Sequence, residues 1–183
     1  MEAWIIAGGS ALVLLYVIVV YNRLVARRNR VRNGWSQIDV QLKRRHDLIP
    51  NLVAAVQGYL QHERAILDGV SRARLEAIAA GSVTERAKAE TTVTQALRSL
   101  FAVAEAYPAL RASENMQALQ EELSSTENRV GFARQFYDDA VLEYNTARES
   151  FPANLVARPL GFVPAELFEL QDQTARAAPQ VRF

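Results

Sequence analysis

The sequence predicts an all-α protein. Its N-terminal transmembrane helix continues into a long kinked helix of an antiparallel up-and-down helical bundle, with three long helices and a short fourth element. Three observations point there. Residues 3–21 carry no charge. Apolar residues then recur at alternating steps of three and four over two long stretches, the spacing of a buried helical stripe. Strand-like alternation is absent, and Ala, Gln, Glu, Arg and Leu dominate.

The first element is the uncharged run AWIIAGGSALVLLYVIVVY, residues 3–21. It has the roughly 20 residues that a bilayer core of about 30 Å requires. Trp4 and Tyr21 stand at its ends, where interfacial aromatics belong. A cleaved signal peptide would have a basic start and an A-x-A site; here Glu2 replaces the one, and the other is missing before the Arg cluster. An uncleaved anchor over 1–21 is therefore expected. No Lys or Arg precedes the span, whereas Arg23, Arg27, Arg28, Arg30 and Arg32 follow it. That asymmetry predicts an outside N-terminus and a cytoplasmic C-terminal domain. The same arginines are candidates for contact with anionic lipid headgroups, or serve only to set topology. Ala7 and Ala11 are spaced to seat a second span.

The second element is a long helix over residues 22–80. With Trp35 at position a, the a residues are Trp35, Leu42, Ile49, Val56, Glu63, Val70 and Ala77. The d residues are Val31, Ile38, Arg45, Leu52, Tyr59, Ile66 and Ala73. The phase is the same before and after Pro50, so a kink is expected there, with the carbonyl of His46 losing its helical partner. The alternative is a true break, with Asp47 capping a second helix. Unbroken, the helix would run roughly 85–90 Å.

The spacing Ser82-Val-Thr-Glu85 predicts a capping box, opening a helix that runs to Tyr107 with Val93, Leu97, Leu100 and Ala104 in its stripe. Pro108 stops it. A third long helix is expected from an N-cap at Ser113 to Phe151, along Met116, Leu119, Leu123, Thr126, Val130, Ala133, Tyr137, Ala140, Tyr144, Ala147 and Phe151. The bundle is expected over 22–168. A short helix is expected near Ala165–Asp172, and residues 169–183 are expected to form a loose tail.

Residues 22–183 hold 21 Lys+Arg and 19 Asp+Glu (20 less Glu2), a balance of +2, so no nucleic-acid partner is indicated. There is no Cys, hence no disulfide, thiol nucleophile or Cys-based metal site. His46 and His62 lie about 24 Å apart on one helix and cannot share an ion. The HExxH, P-loop, GxGxxG and GxSxG patterns are missing. Asp138 and Asp139 are adjacent and point apart, whereas acid–base pairs must converge. No catalytic residue, cofactor or metal is expected. An enzyme would require His46, Asp47 or Glu63 to converge with Glu105 or Glu127.

The unusual feature is charge on the seams. Arg45 occupies a d position and Glu63 an a position, and Thr126 lies on the later seam beside Glu127 and Asn128. A buried charge without a partner costs several kcal/mol. Arg45 and Glu63 are thus expected to pair across helices, with Glu105, Glu127, Asn128 and Asn145 as candidates, fixing the register in which the helices pack. The alternative is that Arg45 snorkels to solvent and Glu63 lies at a frayed edge.

Three blocks carry a family resemblance: Trp35-Ser-Gln-Ile-Asp with Arg45-His-Asp-Leu-Ile-Pro-Asn-Leu; Ala102-Val-Ala-Glu-Ala-Tyr-Pro108 with Leu119-Gln-Glu-Glu-Leu-Ser-Ser-Thr-Glu-Asn-Arg129; and Tyr144-Asn-Thr146 with Phe151-Pro-Ala-Asn-Leu155 and Gly161-Phe162. The chain resembles the LemA family of bacterial membrane proteins. Gly34 stands where that family usually has Ala, a loss of about 1 kcal/mol in helix propensity. Asp138 replaces a usual Asn. The resemblance implies an inner-membrane protein with one span and a four-helix up-and-down bundle. The fourth helix would be either the segment before Pro50, folded back, or the tail near Phe168. It also implies no established enzymatic activity, neighbours such as membrane-bound zinc metalloproteases and quality-control proteins, and, in one branch, a part in building magnetosome membranes.

The expected function is that of a non-enzymatic membrane scaffold that self-associates, as a homo-oligomer in the lipid bilayer. The alternative is an adaptor for a membrane protease or quality-control complex, presenting an exposed patch from Phe132, Phe136, Phe162 and Phe168.

Overall fold

Helical propensity and the long apolar stripes are realised over most of the chain. The computed structural model describes residues 1–168, and no strand occurs among them. The helices are α1 (Glu2–Gln57), α2 (Arg64–Ala79), α3 (Val83–Ala104), α4 (Pro108–Arg111), α5 (Glu114–Glu149) and α6 (Asn154–Ala157). A long N-terminal apolar helix thus continues into a helical bundle. The described residues form two compact units, one of 1–41 with 129–167 and one of 42–128 with Phe168.

In the first unit, the N-terminal part of α1 lies against the C-terminal part of α5. Arg30 pairs with Glu143 at 3.0 Å, and the Trp35 ring meets Tyr137 at 5.7 Å. Residue numbers rise on one helix as they fall on the other, so the helices are antiparallel. Gly34 permits this approach: a Cβ there would stand 3.0 Å from the Cα of Tyr137. The helix-propensity cost at Gly34 thus accompanies close packing. Leu24, Ile38, Val141 and Tyr144 fill the interior. Beyond α5 the chain turns back over this interior. Gly161 adopts φ 73°, while the Phe162 N–H reaches the carbonyl of Ala157 and the Gly161 N–H that of Arg158. These two bonds and the left-handed glycine form a Schellman closure, which drives Phe162 into the core. The following segment is tied by side chains of α5. The Tyr137 and Tyr144 hydroxyls donate to the carbonyls of Glu166 and Val163, and Asn145 exchanges two bonds with Ala165. Residues 165–168 are not helical; the rest of the short helix expected near Ala165–Asp172, and the tail 169–183, lie outside the described residues.

The second unit corrects the expected continuous helix to Ala80. α1 passes through Pro50 but ends at Gln57, and α2 starts anew at Arg64. Arg74 of α2 reaches the main chain of His46 on α1. On one straight helix these residues would be roughly 42 Å apart. The two are nearly equidistant from the turn at 58–63, so the chain has reversed. Gly58, the weakest helix former nearby, begins the turn. Reversal lets Leu67, Val70, Ala73 and Ala77 of α2 join Ile49, Leu52 and Val56 of α1 in one core. Burying both stripes against each other outweighs a few further helical bonds, each net about 1 kcal/mol. Tyr59, assigned to the seam, is instead 47% exposed, and Leu60 is buried in its place.

α3 opens with the capping box as spelled: Ser82 accepts from Glu85 N–H, and the Glu85 carboxylate accepts from the backbone of Ser82 and Gly81. These bonds hold the Glu85 carboxyl below its ordinary range. α3 ends at Ala104, three residues before Tyr107, and Pro108 begins the single turn of α4. Val93, Leu97 and Leu100 of α3, with Met116 and Leu123 of α5, complete the core. The short fourth element of the bundle is therefore α2, neither a segment before Pro50 folded back nor the tail near Phe168.

Candidate functional site

The most concentrated chemistry among the described residues is a buried ionic cluster in the second unit. α1 presents Arg45 and His46, successive residues that both point inward where α1 meets two neighbours. α3 presents Glu90 and Thr94, one turn apart on one face. The side chains of Arg45, His46 and Glu90 are each less than 10% exposed. The two oxygens of Glu90 divide their duties: Oε2 faces Arg45 Nη1 at 3.3 Å, and Oε1 accepts from His46 Nε2 at 2.7 Å. Arg45 Nη2 donates to Thr94 Oγ1 at 2.9 Å. From α2, Arg74 Nε donates to the His46 carbonyl at 2.7 Å. Five polar side chains and one main-chain oxygen thus tie α1, α2 and α3 together. One carboxylate serving two donors satisfies most of the buried polar atoms, the condition under which an interior charge is tolerated.

Arg45 is therefore buried and paired across helices, but with a partner the sequence reading missed. Glu90 was legible: three residues before Val93, it extends the α3 stripe backward by one step. The proposed partners are elsewhere. Glu105 is the exposed C-cap of α3, and Glu127 and Asn128 are exposed. Asn145 serves the first unit, where it binds Ala165. Glu63 is half-buried at the start of α2, without a side-chain capping bond. Thr126 is buried and returns its hydroxyl to the carbonyl of Glu122. Arg44, outside the cluster, pairs with Glu122.

Of the residues expected at the membrane interface, Trp4 is exposed, as is nearly all of the apolar stretch around it, which is long and apolar enough to cross a membrane. Tyr21 meets Phe162 edge-on, with ring centroids 5.6 Å apart at 70°. Arg28 also lies over the Phe162 ring, its guanidinium 5.3 Å from the centroid, while Arg30 lies 5.5 Å from the Phe136 ring centroid. Arg23, Arg27 and Arg32 are exposed. Two residues expected in an exposed aromatic patch, Phe162 and Phe168, are buried instead, because the closure at Gly161 turns Phe162 inward and Phe168 is only 1% exposed. Phe132 is exposed, and with Phe136 and Val40 it lines a shallow apolar groove.

Among the described residues no group of three His, Asp or Glu could hold a metal ion. His46 and Glu90 form a close pair, but the other residues named for an acid–base site, Asp47, Glu63, Glu105 and Glu127, are partly or fully exposed.

The family model described as the LemA family matches residues 34–183. Among curated proteins, the chain is 25% identical to magnetosome proteins MamQ 1 and MamQ 2 of Paramagnetospirillum magneticum, over 84% of this chain and 66% of each relative. It is 22% identical to magnetosome protein MamQ of Magnetospirillum gryphiswaldense, over 83% of this chain and 65% of the relative. The chain thus spans slightly less than two thirds of the length of these relatives.

Proposed function

The chain belongs to the LemA family, and from that premise we propose that it is a non-enzymatic, membrane-anchored helical scaffold that self-associates and organises membrane or recruits partners. The observation that carries this reading is the continuity of α1. The apolar segment and the bundle's first interior residues, Leu24, Val31 and Ile38, lie on one unbroken helix. A helix without a linker transmits orientation from bilayer to bundle, which a flexible tether would lose. The interior is stitched by ion pairs and hydrogen bonds that specify packing. The magnetosome names of the relatives favour a part in an assembly. The arginine asymmetry favours a cytoplasmic bundle, and kinship with the family favours the inner membrane as the one the anchor occupies.

The test is the native mass of the intact chain in mild detergent across a wide concentration range. A defined homo-oligomer supports the scaffold; a strict monomer throughout sinks it.

The exposed groove at Val40, Phe132 and Phe136 favours a second reading, an adaptor for a membrane protease or quality-control complex. Phe132 is 74% exposed, and large aromatics so placed anchor protein interfaces. Crosslinking in cells from a photoreactive group at Phe132 separates the two. Recovery of copies of this chain alone removes the adaptor.

A further inference from the structure

The first unit overlaps the apolar segment. A groove of about 620 Å³ is walled on one side by Tyr16, Val19 and Val20, which belong to the uncharged run 3–21, and on the other by Leu142 of α5 and the turn at Phe151 and Pro152. Arg23 and Arg27 stand at its charged end. Glu143 also borders it, and is engaged by Arg30 at 3.0 Å. Large apolar side chains stand exposed here: Phe151 of the turn is 80% exposed, Leu155 of α6 67% and Leu142 of α5 63%.

We infer that this end of the first unit docks on the leaflet around its own anchor. Phe151 enters the headgroup–acyl boundary, and the groove receives a phospholipid whose anionic headgroup meets Arg23 and Arg27. This rests on the reading of residues 3–21 as a span. Depth supports it. Tyr16 lies five residues, about 7.5 Å, below Tyr21 along the helix. With Tyr21 at the interface, a turn sharing a groove with Tyr16 lies at the depth of about 5–10 Å to which interfacial apolar faces sink. Charge supports it as well, because two exposed arginines, Arg23 and Arg27, border an apolar cleft, the complement of an anionic lipid. The groove is continuous with the span, so its occupant is already beside it. Phe151, Leu155 and Leu142 would otherwise stand exposed to water.

The experiment uses the full chain, which contains no Cys, carrying a nitroxide at Phe151→Cys, at Leu12→Cys or at Gln61→Cys. Each is reconstituted in phosphatidylcholine vesicles with and without phosphatidylglycerol. Collisions with oxygen and with a nickel chelate report depth. The expected result is a several-fold excess of oxygen over nickel accessibility at 151 relative to 61, deeper with phosphatidylglycerol. That lipid dependence should be lost in Arg23→Gln/Arg27→Gln. A label at 151 as wet as the one at 61, while the label at 12 is in lipid, overturns the docking and leaves the span intact. A wet label at 12 overturns the span itself and the inference with it. Equal depth at 151 in both lipids overturns the assignment of the headgroup to the arginines.

Discussion

Arg74 on α2 donates from Nε to the main-chain oxygen of His46 on α1, at 2.7 Å. That oxygen is the one Pro50 leaves without a helical donor, since proline at position i has no N–H for the carbonyl at i−4. A side chain from a neighbouring helix supplies the missing bond, and the defect in α1 becomes a tie to α2. An unsatisfied buried carbonyl costs about 1–3 kcal/mol. Arg74→Ala should therefore destabilise the protein by roughly that amount. In a Pro50→Ala background the helix regains its own bond, and the cost of Arg74→Ala should shrink by more than half. A double-mutant cycle by denaturant unfolding measures this coupling; equal costs in both backgrounds would refute it.

Glu90 is the acceptor on which Arg45 and His46 both depend. Glu90→Ala strands a buried guanidinium and should cost about 3–5 kcal/mol. Replacing all three members with apolar residues of similar volume (Arg45→Met, His46→Leu, Glu90→Leu) removes the charge and its partners together. That triple variant should be close to neutral or more stable than Glu90→Ala by several kcal/mol. Thermal unfolding of both variants decides the matter. If the triple variant is the less stable, the cluster is a net source of stability instead of a specifier of register.

Gly34 gives opposite expectations from propensity and from packing. Gly34→Ala gains about 1 kcal/mol of helix propensity. Its new Cβ, however, would meet Tyr137 Cα at 3.0 Å and Phe136 Cδ1 at 3.2 Å. The nearer neighbour is helix backbone, which cannot rotate away. Overpacking of this kind costs roughly 1–3 kcal/mol, so the net change should be destabilising. A rise in melting temperature would show that α5 yields easily.

The capping box sets an acid limit. Glu85 has its pKa lowered by the backbone N–H groups of Ser82 and Gly81. A depressed carboxyl contributes stability above its unfolded value, and that contribution is lost as pH falls through the folded value. Acid unfolding of Glu85→Gln should accordingly show a shallower loss of stability below about pH 4.5, the ordinary value for Glu, than the parent chain.

At the alkaline end, Tyr137 has its pKa raised to about 12, chiefly by burial and then by Asp138 and Glu166. Its phenol donates to the Glu166 carbonyl, a bond that requires the proton. A raised acid contributes stability fully present below its unfolded value near pH 10, lost as pH rises toward 12. Tyr137→Phe should flatten that alkaline decline. An unchanged decline in stability between pH 10 and 12 would place its origin in another group.

What the sequence determined by itself was everything carried by local pattern. The uncharged run, the arginines after it, the stripe from Val31 to Val56, the Ser82–Glu85 cap and the start of α5 after Ser113 follow from composition and spacing, because helix periodicity and capping act over a few residues. The orphaned carbonyl of His46 was also legible, since it follows from the chemistry of proline alone. What only the tertiary structure decided was which stripes face one another. An unslipped heptad through residues 57–63 is compatible with one helix or with two; reversal won because it buries α2 against α1 and α3, a gain no local pattern registers. The same physics chose Glu90 over Glu105 or Glu127 as partner for Arg45, turned Phe162 inward at Gly161, and brought Phe151 beside Tyr16. Ion pairs, closures and grooves of that kind join residues far apart in sequence, and only packing sets their distances.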